Sequence, residues 1–189
     1  MKKAALAIAS VVALSACSSM GFNNSPVTAA AVPTWKDAEA NEFIPANQRA
    51  AAALIALANV NQQIDIARPL IVTTLANINS LEESSTFGRI VAEQVSGQFT
   101  RSGYKMIEMK FRDKVFIRQN VGEFLLTREI KDVAQSHSAQ AVIVGTYAES
   151  DKLVFVNLKL IRPVDNVVIS TVDYAIPMDK TVKALLGRR

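Results

Sequence analysis

The chain has 189 residues, half of them hydrophobic, with 21 basic and 17 acidic side chains and a formal net charge of +4. Loss of an N-terminal segment that carries Lys2 and Lys3 would lower this charge to +2, and the other charges are spread along the chain. Nucleic-acid-binding proteins usually concentrate basic residues on one face, so this distribution argues against a nucleic-acid partner. The only cysteine, Cys17, excludes an internal disulfide, so packing must stabilise the fold.

The first 16 residues have the three parts of a signal peptide. Lys2 and Lys3 form a positive region, residues 4–14 form an apolar run, and two small residues precede Cys17. The apolar run is shorter than the roughly 20 residues that a helix needs to cross a bilayer. The alternative is an ordinary secretory signal followed by a cysteine of no special role.

The order Leu14-Ser15-Ala16-Cys17 resembles a bacterial lipobox. The resemblance implies that a diacylglycerol is attached to the Cys17 thiol, that a peptidase cuts between Ala16 and Cys17, and that the new amino terminus is acylated, for example with palmitate. Each buried CH₂ contributes about 0.8 kcal/mol, so such an anchor holds the protein at a membrane. Ser18 replaces the Asp that retains enterobacterial lipoproteins in the inner membrane. This implies export to the outer membrane, on its periplasmic leaflet or, alternatively, at the cell surface.

Residues 17–45 are expected to form the lipidated cysteine and a flexible tether. Three prolines and several Ser and Asn residues interrupt this stretch, and it has no sustained hydrophobic periodicity. As a flexible coil it would span about 30 Å. Trp35 and Phe43 are its apolar exceptions, and we expect them either to dock on the folded domain or to contact a partner.

The first half of the folded region predicts a helix, a strand and a second helix. A helix is predicted from Ala46 to Ile64, before the break at Arg68-Pro69. Leu70 to Leu75 has the length and residue types of a buried strand. Ser84 to Thr86 supply N-caps for a second helix that ends at Ser102-Gly103. The apolar face of that helix consists of Phe87, Val91, Val95 and Phe99.

The second half predicts two short strands, a third helix and a closing meander. The short strands are expected at 104–109 and 115–118, and the third helix from Glu123 to Ser136. Three strands joined by hairpin turns complete the domain. They are expected at 141–148, 153–162 and 167–176.

The middle strand of the meander indicates a sheet with one covered face, because apolar residues alternate along it with Phe155, Asn157 and Lys159. The element order α-β-α-β-(β)-α-β-β-β predicts an α+β fold with a single mixed β-sheet and helices packed mainly on one face. The domain is expected to cover residues 46–178. Residues 179–189 are expected to form a short basic tail with a terminal helix.

Several stretches together resemble the FlgO-like outer-membrane lipoproteins of bacterial flagella. The most specific are Ser-Ser-Thr-Phe-Gly-Arg at 84–89 and Gly-Glu-Phe-Leu-Leu-Thr-Arg at 122–128. The resemblance covers residues 46–178. It implies a non-enzymatic structural or assembly factor of the flagellum and motility, with flagellar or other envelope proteins as partners and self-association left open. Each stretch also has a structural explanation. Gly88 permits a close approach at the helix end, and Gly145, in a further family-like stretch at 141–147, suggests close packing by a neighbouring helix. We therefore interpret the stretches as markers of the fold and not as a ligand site.

No catalytic or metal-binding pattern accompanies these motifs. The single histidine, His137, is predicted at the surface near a helix end, and zinc needs three or four suitable ligands. No phosphate-binding or dinucleotide glycine pattern and no nucleophile motif is recognisable. We therefore expect no enzyme activity, no metal and no cofactor apart from the covalent lipid on Cys17. The alternative function is an outer-membrane-anchored regulatory binding module for a periplasmic enzyme such as a peptidoglycan synthase.

Overall fold

The helices and strands follow one another in an order close to the predicted one. The structure is a computed structural model, and it describes residues 41–60, 62–81, 84–108, 116–119 and 123–188. Its helices are α1 (Phe43–Val60), α2 (Thr86–Arg101), α3 (Arg128–Ser136) and α4 (Lys180–Leu185). Its strands are β1 (Leu70–Val72), β2 (Ala76–Asn77), β3 (Met106–Glu108), β4 (Phe116–Gln119), β5 (Glu123–Leu126), β6 (Ala141–Glu149), β7 (Leu153–Ile161) and β8 (Val168–Pro177).

Six strands of the described chain form one mixed sheet in the order β3-β1-β6-β7-β8, with β2 beside β6. Strand β1 pairs in parallel with both β3 and β6, and β6, β7 and β8 form an antiparallel meander. Strands β4 and β5 form a separate antiparallel pair. The predicted α+β class with a single mixed main sheet is confirmed, and the three meander strands lie within one residue of their predicted bounds.

The third helix corrects the prediction of a helix from Glu123 to Ser136. Residues 123–126 form β5, and each of them pairs with a residue of β4. The helix begins only after Thr127, whose extended backbone (φ −62°, ψ 161°) marks the N-cap. Glu129, and not Glu123, is therefore the acidic residue in the first helical turn. Short apolar runs fit helix and strand equally well, and here the pairing with β4 decides the outcome.

The first helix begins three residues earlier and ends four residues earlier than predicted. Asn41 Oδ1 accepts a hydrogen bond from the Phe43 amide at 2.8 Å, which satisfies a free donor at the helix start. Pro45 lies in the first turn, where the missing N–H does not matter. At the other end Gln62 adopts a positive φ of 50° and its amide bonds to Asn59 O at 2.9 Å, which closes the helix.

The strand predicted from Leu70 to Leu75 is interrupted after Val72. The Leu75 amide donates to Gly88 O of α2 at 3.3 Å, and not to a neighbouring strand. Strand β2 then resumes the pairing with β6. The interruption brings the backbone of Leu75 against the first turn of α2.

Helices α1, α2 and α4 pack on one face of the sheet. The predicted apolar face of α2 is confirmed, since its four residues are completely buried. The alternating apolar residues of β7 face the same cluster. This face of β7 consists of Val154, Val156, Leu158 and Leu160.

Helix α3 packs on the opposite face, over the parallel part of the sheet. Ile130 and Ala134 join a second buried cluster there with Ile71, Val142 and Val144. The prediction of helices mainly on one face is therefore confirmed, with α3 as the exception. Within the described residues, α3 covers only this part, so much of the same face of the meander is left open by them.

A buried polar group ties α1 to the sheet and to α2. Asn47 is completely buried; it accepts a hydrogen bond from the Tyr174 hydroxyl at 2.5 Å and donates one to Gln94 Oε1 at 2.5 Å. Burial raises the pKa of Tyr174 above its ordinary range, because the charged form is poorly solvated there. The Tyr174 hydroxyl therefore stays protonated and continues to donate its hydrogen bond to the buried side-chain amide of Asn47.

Candidate interaction surface

The strongest candidate site in the described chain is the uncovered part of the sheet beside α3. We call it the open face, and it contains the outward side chains of β6, β7 and β8 and the adjacent Ile78. Phe155 lies between Ala148 and Ala175 and is 52% exposed. A half-exposed aromatic ring on a rigid sheet is typical of protein contact surfaces.

A groove runs along the open face. Its deep end has a volume of about 190 Å³ and its shallow end about 460 Å³. The two ends share Ile78, Thr146 and Asn157. The deep end is the more enclosed, and its apolar walls include Leu126, Val144 and Ile161, which are at most 4% exposed.

The two ends of the groove carry side chains of opposite charge. Asn157 donates to Asp173 Oδ1 at 2.7 Å and to Thr171 Oγ1 at 3.2 Å, so the carboxylate lies at the shallow end. Lys159 lies at the deep end between Val144 and Thr171. Within the residues that the structure describes, its ammonium has no ion-pair or hydrogen-bond partner. The groove therefore has a cationic deep end and an anionic shallow end.

The turn between β7 and β8 completes the deep end with Asn166. Arg162 contacts Asp165 at 3.0 Å and Gln63 at 2.7 Å, and Asp165 Oδ1 accepts the Val167 amide at 3.1 Å. These contacts hold Asn166 at a positive φ of 58°, which Asn tolerates better than most residues. Among the described residues, the Asn166 Oδ1 atom is buried and has no hydrogen-bond partner.

The sequence anticipated only part of this surface. The alternation along β7 correctly placed Phe155, Asn157 and Lys159 on the side away from the main core. It gave no signal for Ile78 or Asn166, which reach the groove from a loop and a turn. Ile78 reaches the groove because the strand is interrupted after β1, and Asn166 reaches it because the contacts of Arg162 hold the turn. Neither feature has a recognisable pattern in the local sequence.

The other residues singled out from the sequence lie apart from the groove or outside the described part. Leu14, Ser15, Ala16, Cys17 and Ser18 all fall outside the described residues, as does Trp35.

Phe43 and His137 are both placed by the structure. Phe43 is 6% exposed and packs on Phe87 with ring centroids 5.7 Å apart, so it belongs to the core and not to a partner contact. His137 is the exposed C-cap residue of α3, as predicted.

Two further features are absent from the described ranges. No group of three or more His, Cys, Asp and Glu residues there is arranged to hold a metal ion. None of the helices in this part of the chain combines the length and the apolar content that crossing a bilayer demands.

Comparison with known proteins gives one family and several weak structural matches. The LpoB C-terminal domain from Escherichia coli is 12% identical with a TM-score of 0.49, over 71% of this chain and 98% of that chain. The LpoB C-terminal domain from Salmonella enterica is 13% identical with a TM-score of 0.44, over 66% and 96%. The PelC dodecamer from Paraburkholderia phytofirmans is 14% identical with a TM-score of 0.39, over 60% and 74%.

No curated protein sequence matches the chain significantly. The model of the FlgO protein family does match, over residues 48–181. This range contains both stretches that first suggested the resemblance, at 84–89 and 122–128. It also contains the whole main sheet with α2 and α3. The chain therefore belongs to the FlgO protein family.

Proposed function

We propose that this chain is a lipid-anchored outer-membrane protein that supports the structure or assembly of the bacterial flagellum through protein contacts, without catalysis. The match of the FlgO family model over residues 48–181 is the observation that carries this proposal. The lipobox order at residues 14–17 supports the anchor. An anchored domain is confined to a thin layer beside the membrane, which raises its effective concentration toward partners there.

The open face is the surface that we assign to these contacts. The opposite face of the sheet is filled by α1, α2 and α4, whose apolar side chains are committed to the core. The open face instead combines the exposed Phe155 and Ile78 with polar groups such as Asp173. Apolar anchors surrounded by polar groups are what protein interfaces require.

Replacement of Cys17 by Ala is expected to move the protein out of the outer-membrane fraction. Without the thiol no diacylglycerol can be attached, and the CH₂ groups that hold the protein at the bilayer are lost. The measurement is cell fractionation followed by immunoblotting, with Ser19→Ala as the matched control that leaves the Leu-Ser-Ala-Cys order intact. An unchanged outer-membrane distribution of the Cys17→Ala protein would show that the anchor assignment is wrong.

Deletion of the gene is expected to reduce swimming in soft agar and to leave the basal structures at the outer membrane incomplete. Wild type should restore both, whereas Cys17→Ala should not, because the unanchored domain is diluted away from its partners. Electron cryotomography of the basal structures separates a flagellar defect from slow growth. Normal swimming with intact structures in the deletion strain would contradict the flagellar function.

A further inference from the structure

The described chain begins at the same end of the sheet as the shallow end of the groove. Asn41 is the first described residue, and its side-chain amide donates to Asp179 Oδ2 at 3.2 Å. Asp179 lies two residues after the last residue of β8. Four residues before Asp179, Ala175 pairs with Phe155 of β7. The residues upstream of Asn41 therefore start within a short chain length of the exposed ring of Phe155.

Chain length decides which part of the open face these residues can reach. Trp35 precedes Asn41 by six residues, and an extended chain of that length spans about 20 Å. Along β8, Ala175 lies four residues from Asp179, or about 13 Å, and Thr171 lies eight residues away, or about 26 Å. Among the described strands β8 is an edge of the main sheet, so a chain can pass round it onto the open face. Trp35 can therefore reach the shallow end but not the deep end.

The shallow end presents an apolar and an anionic group that both lie at the surface. Phe155 is 52% exposed beside the exposed Ala175, and Ile78 is 37% exposed. Asp173 is also exposed, and its carboxylate accepts from Asn157 and contacts no cation among the described residues. An occupant that suits both groups carries an aromatic side chain next to a cation.

We infer that residues 35–40 of this chain fold back onto the shallow end, with the Trp35 indole on Phe155 and the Lys36 ammonium at Asp173. The order of the contacts fits the path of the chain. A segment that crosses the edge of the sheet from Asn41 meets β8, which carries Asp173, before β7, which carries Phe155. Lys36 is likewise nearer to Asn41 than Trp35 is. The two acceptor positions are diagonal neighbours, about 7–8 Å apart, which the side chains of consecutive residues can cover.

The docked segment covers the aromatic ring that the open face offers to a partner. A partner must therefore displace Trp35 before it reaches Phe155, and its apparent affinity falls with the fraction of domains in which the segment is docked. This competition rests on the proposed function, whereas the docking itself does not.

The test uses the fluorescence of Trp35, the only tryptophan of the chain, in the full-length lipidated protein in detergent micelles. Acrylamide quenches an indole that is open to water and is excluded from a docked one. Phe155→Ala should increase the free form relative to the docked form by at least about twofold, the lower end for one pair of aromatic rings, and quenching should rise accordingly. Val168→Ala is the matched control, because Val168 is 45% exposed beside the deep end, beyond the reach of Trp35. Its quenching should equal that of wild type.

An exchange of charges tests the second contact. Lys36→Glu and Asp173→Lys should each raise the quenching by acrylamide, because each places two like charges together. The double variant should return toward the wild-type value, since the pair is restored with its signs reversed. A change of the sheet caused by the loss of the Asn157 hydrogen bond to Asp173 would not be reversed by Lys36→Glu.

Three results would overturn the inference: equal quenching of wild type and Phe155→Ala, charge exchange without recovery, or quenching of wild-type Trp35 by a brominated detergent that exceeds its quenching by acrylamide. The last result would show that the lipid surface, and not the domain, holds the indole. Fluorescence tests the docking alone, whereas swimming and basal structures test the proposed function. The two can therefore fail separately.

Discussion

Replacement of Phe87 by Ala is expected to lower the free energy of unfolding by about 3–5 kcal/mol, the usual cost of removing a buried aromatic ring. Phe87 is completely buried at the start of α2. Its ring lies 5.7 Å from that of Phe43 and 5.2 Å from that of Tyr147, so it joins α1 and α2 to the sheet. A loss of this size is a large share of the 5–15 kcal/mol that stabilises a typical domain.

Phe155→Ala is the matched control, because it removes the same ring from the open face, where the side chain is 52% exposed. Its cost should be below about 1 kcal/mol, because surface substitutions usually change the free energy of unfolding by less than about 0.5 kcal/mol. The measurement is the urea concentration at which half of each purified variant is unfolded. The variants are comparable when the m-value, the slope of unfolding free energy against urea concentration, is unchanged. Similar midpoints for the two variants would contradict the assignment of Phe87 to the core and of Phe155 to the surface.

The regular parts of the fold were predictable because each has a strong local pattern. Helix α2 carries apolar residues at helical spacing between a clear N-cap, Ser85, and a terminal Gly103 with φ 89°. Strand β7 alternates along its whole length, so its two faces were assigned correctly. In both cases the local preference and the tertiary environment agree, which is why local reasoning was sufficient.

The errors occur where tertiary contacts override a weak local signal. The run at 123–126 has no periodicity of its own, and its pairing with β4 makes it a strand. The strand that starts at Leu70 is interrupted because the backbone of Leu75 bonds to α2. The groove was not predictable for the same reason. Ile78 and Asn166 are far apart in sequence, and only the interrupted strand and the braced turn bring them to one cavity.

The contact between Leu75 and α2 also explains two glycines of the family-like stretches. A Cβ atom on Gly145 would lie 2.6 Å from Leu75 Cγ, and one on Gly88 would lie 2.3 Å from Leu75 O. The sequence predicted a close approach at both positions. Gly88 does meet such an approach at the start of its helix. At Gly145, however, the neighbour is Leu75 of the interrupted strand and not a helix.

Gly88→Ala is expected to destabilise the protein by about 1–3 kcal/mol, the usual cost of overpacking, although Ala is the better helix former. The clash is with a backbone oxygen, which cannot rotate away like the end of a flexible side chain. That oxygen is also held by Ser84 Oγ, which donates to it at 3.2 Å. The Gly88 amide in turn donates to the N-cap oxygen, Ser85 Oγ, at 3.1 Å. Any shift that relieves the clash must therefore weaken the start of α2.

Gly97→Ala in the same helix is the matched control, and its effect should have the opposite sign. Among the described residues, a Cβ atom there would meet only Arg101 Nη1, the end of a flexible side chain, at 3.4 Å. The substitution should therefore raise stability by up to about 1 kcal/mol through helix propensity alone. Urea midpoints of the two variants, measured against wild type, should move in opposite directions. If Gly88→Ala were as stable as Gly97→Ala, the Leu75 carbonyl would be free to retreat, and the interrupted strand would not be fixed by its contact with α2.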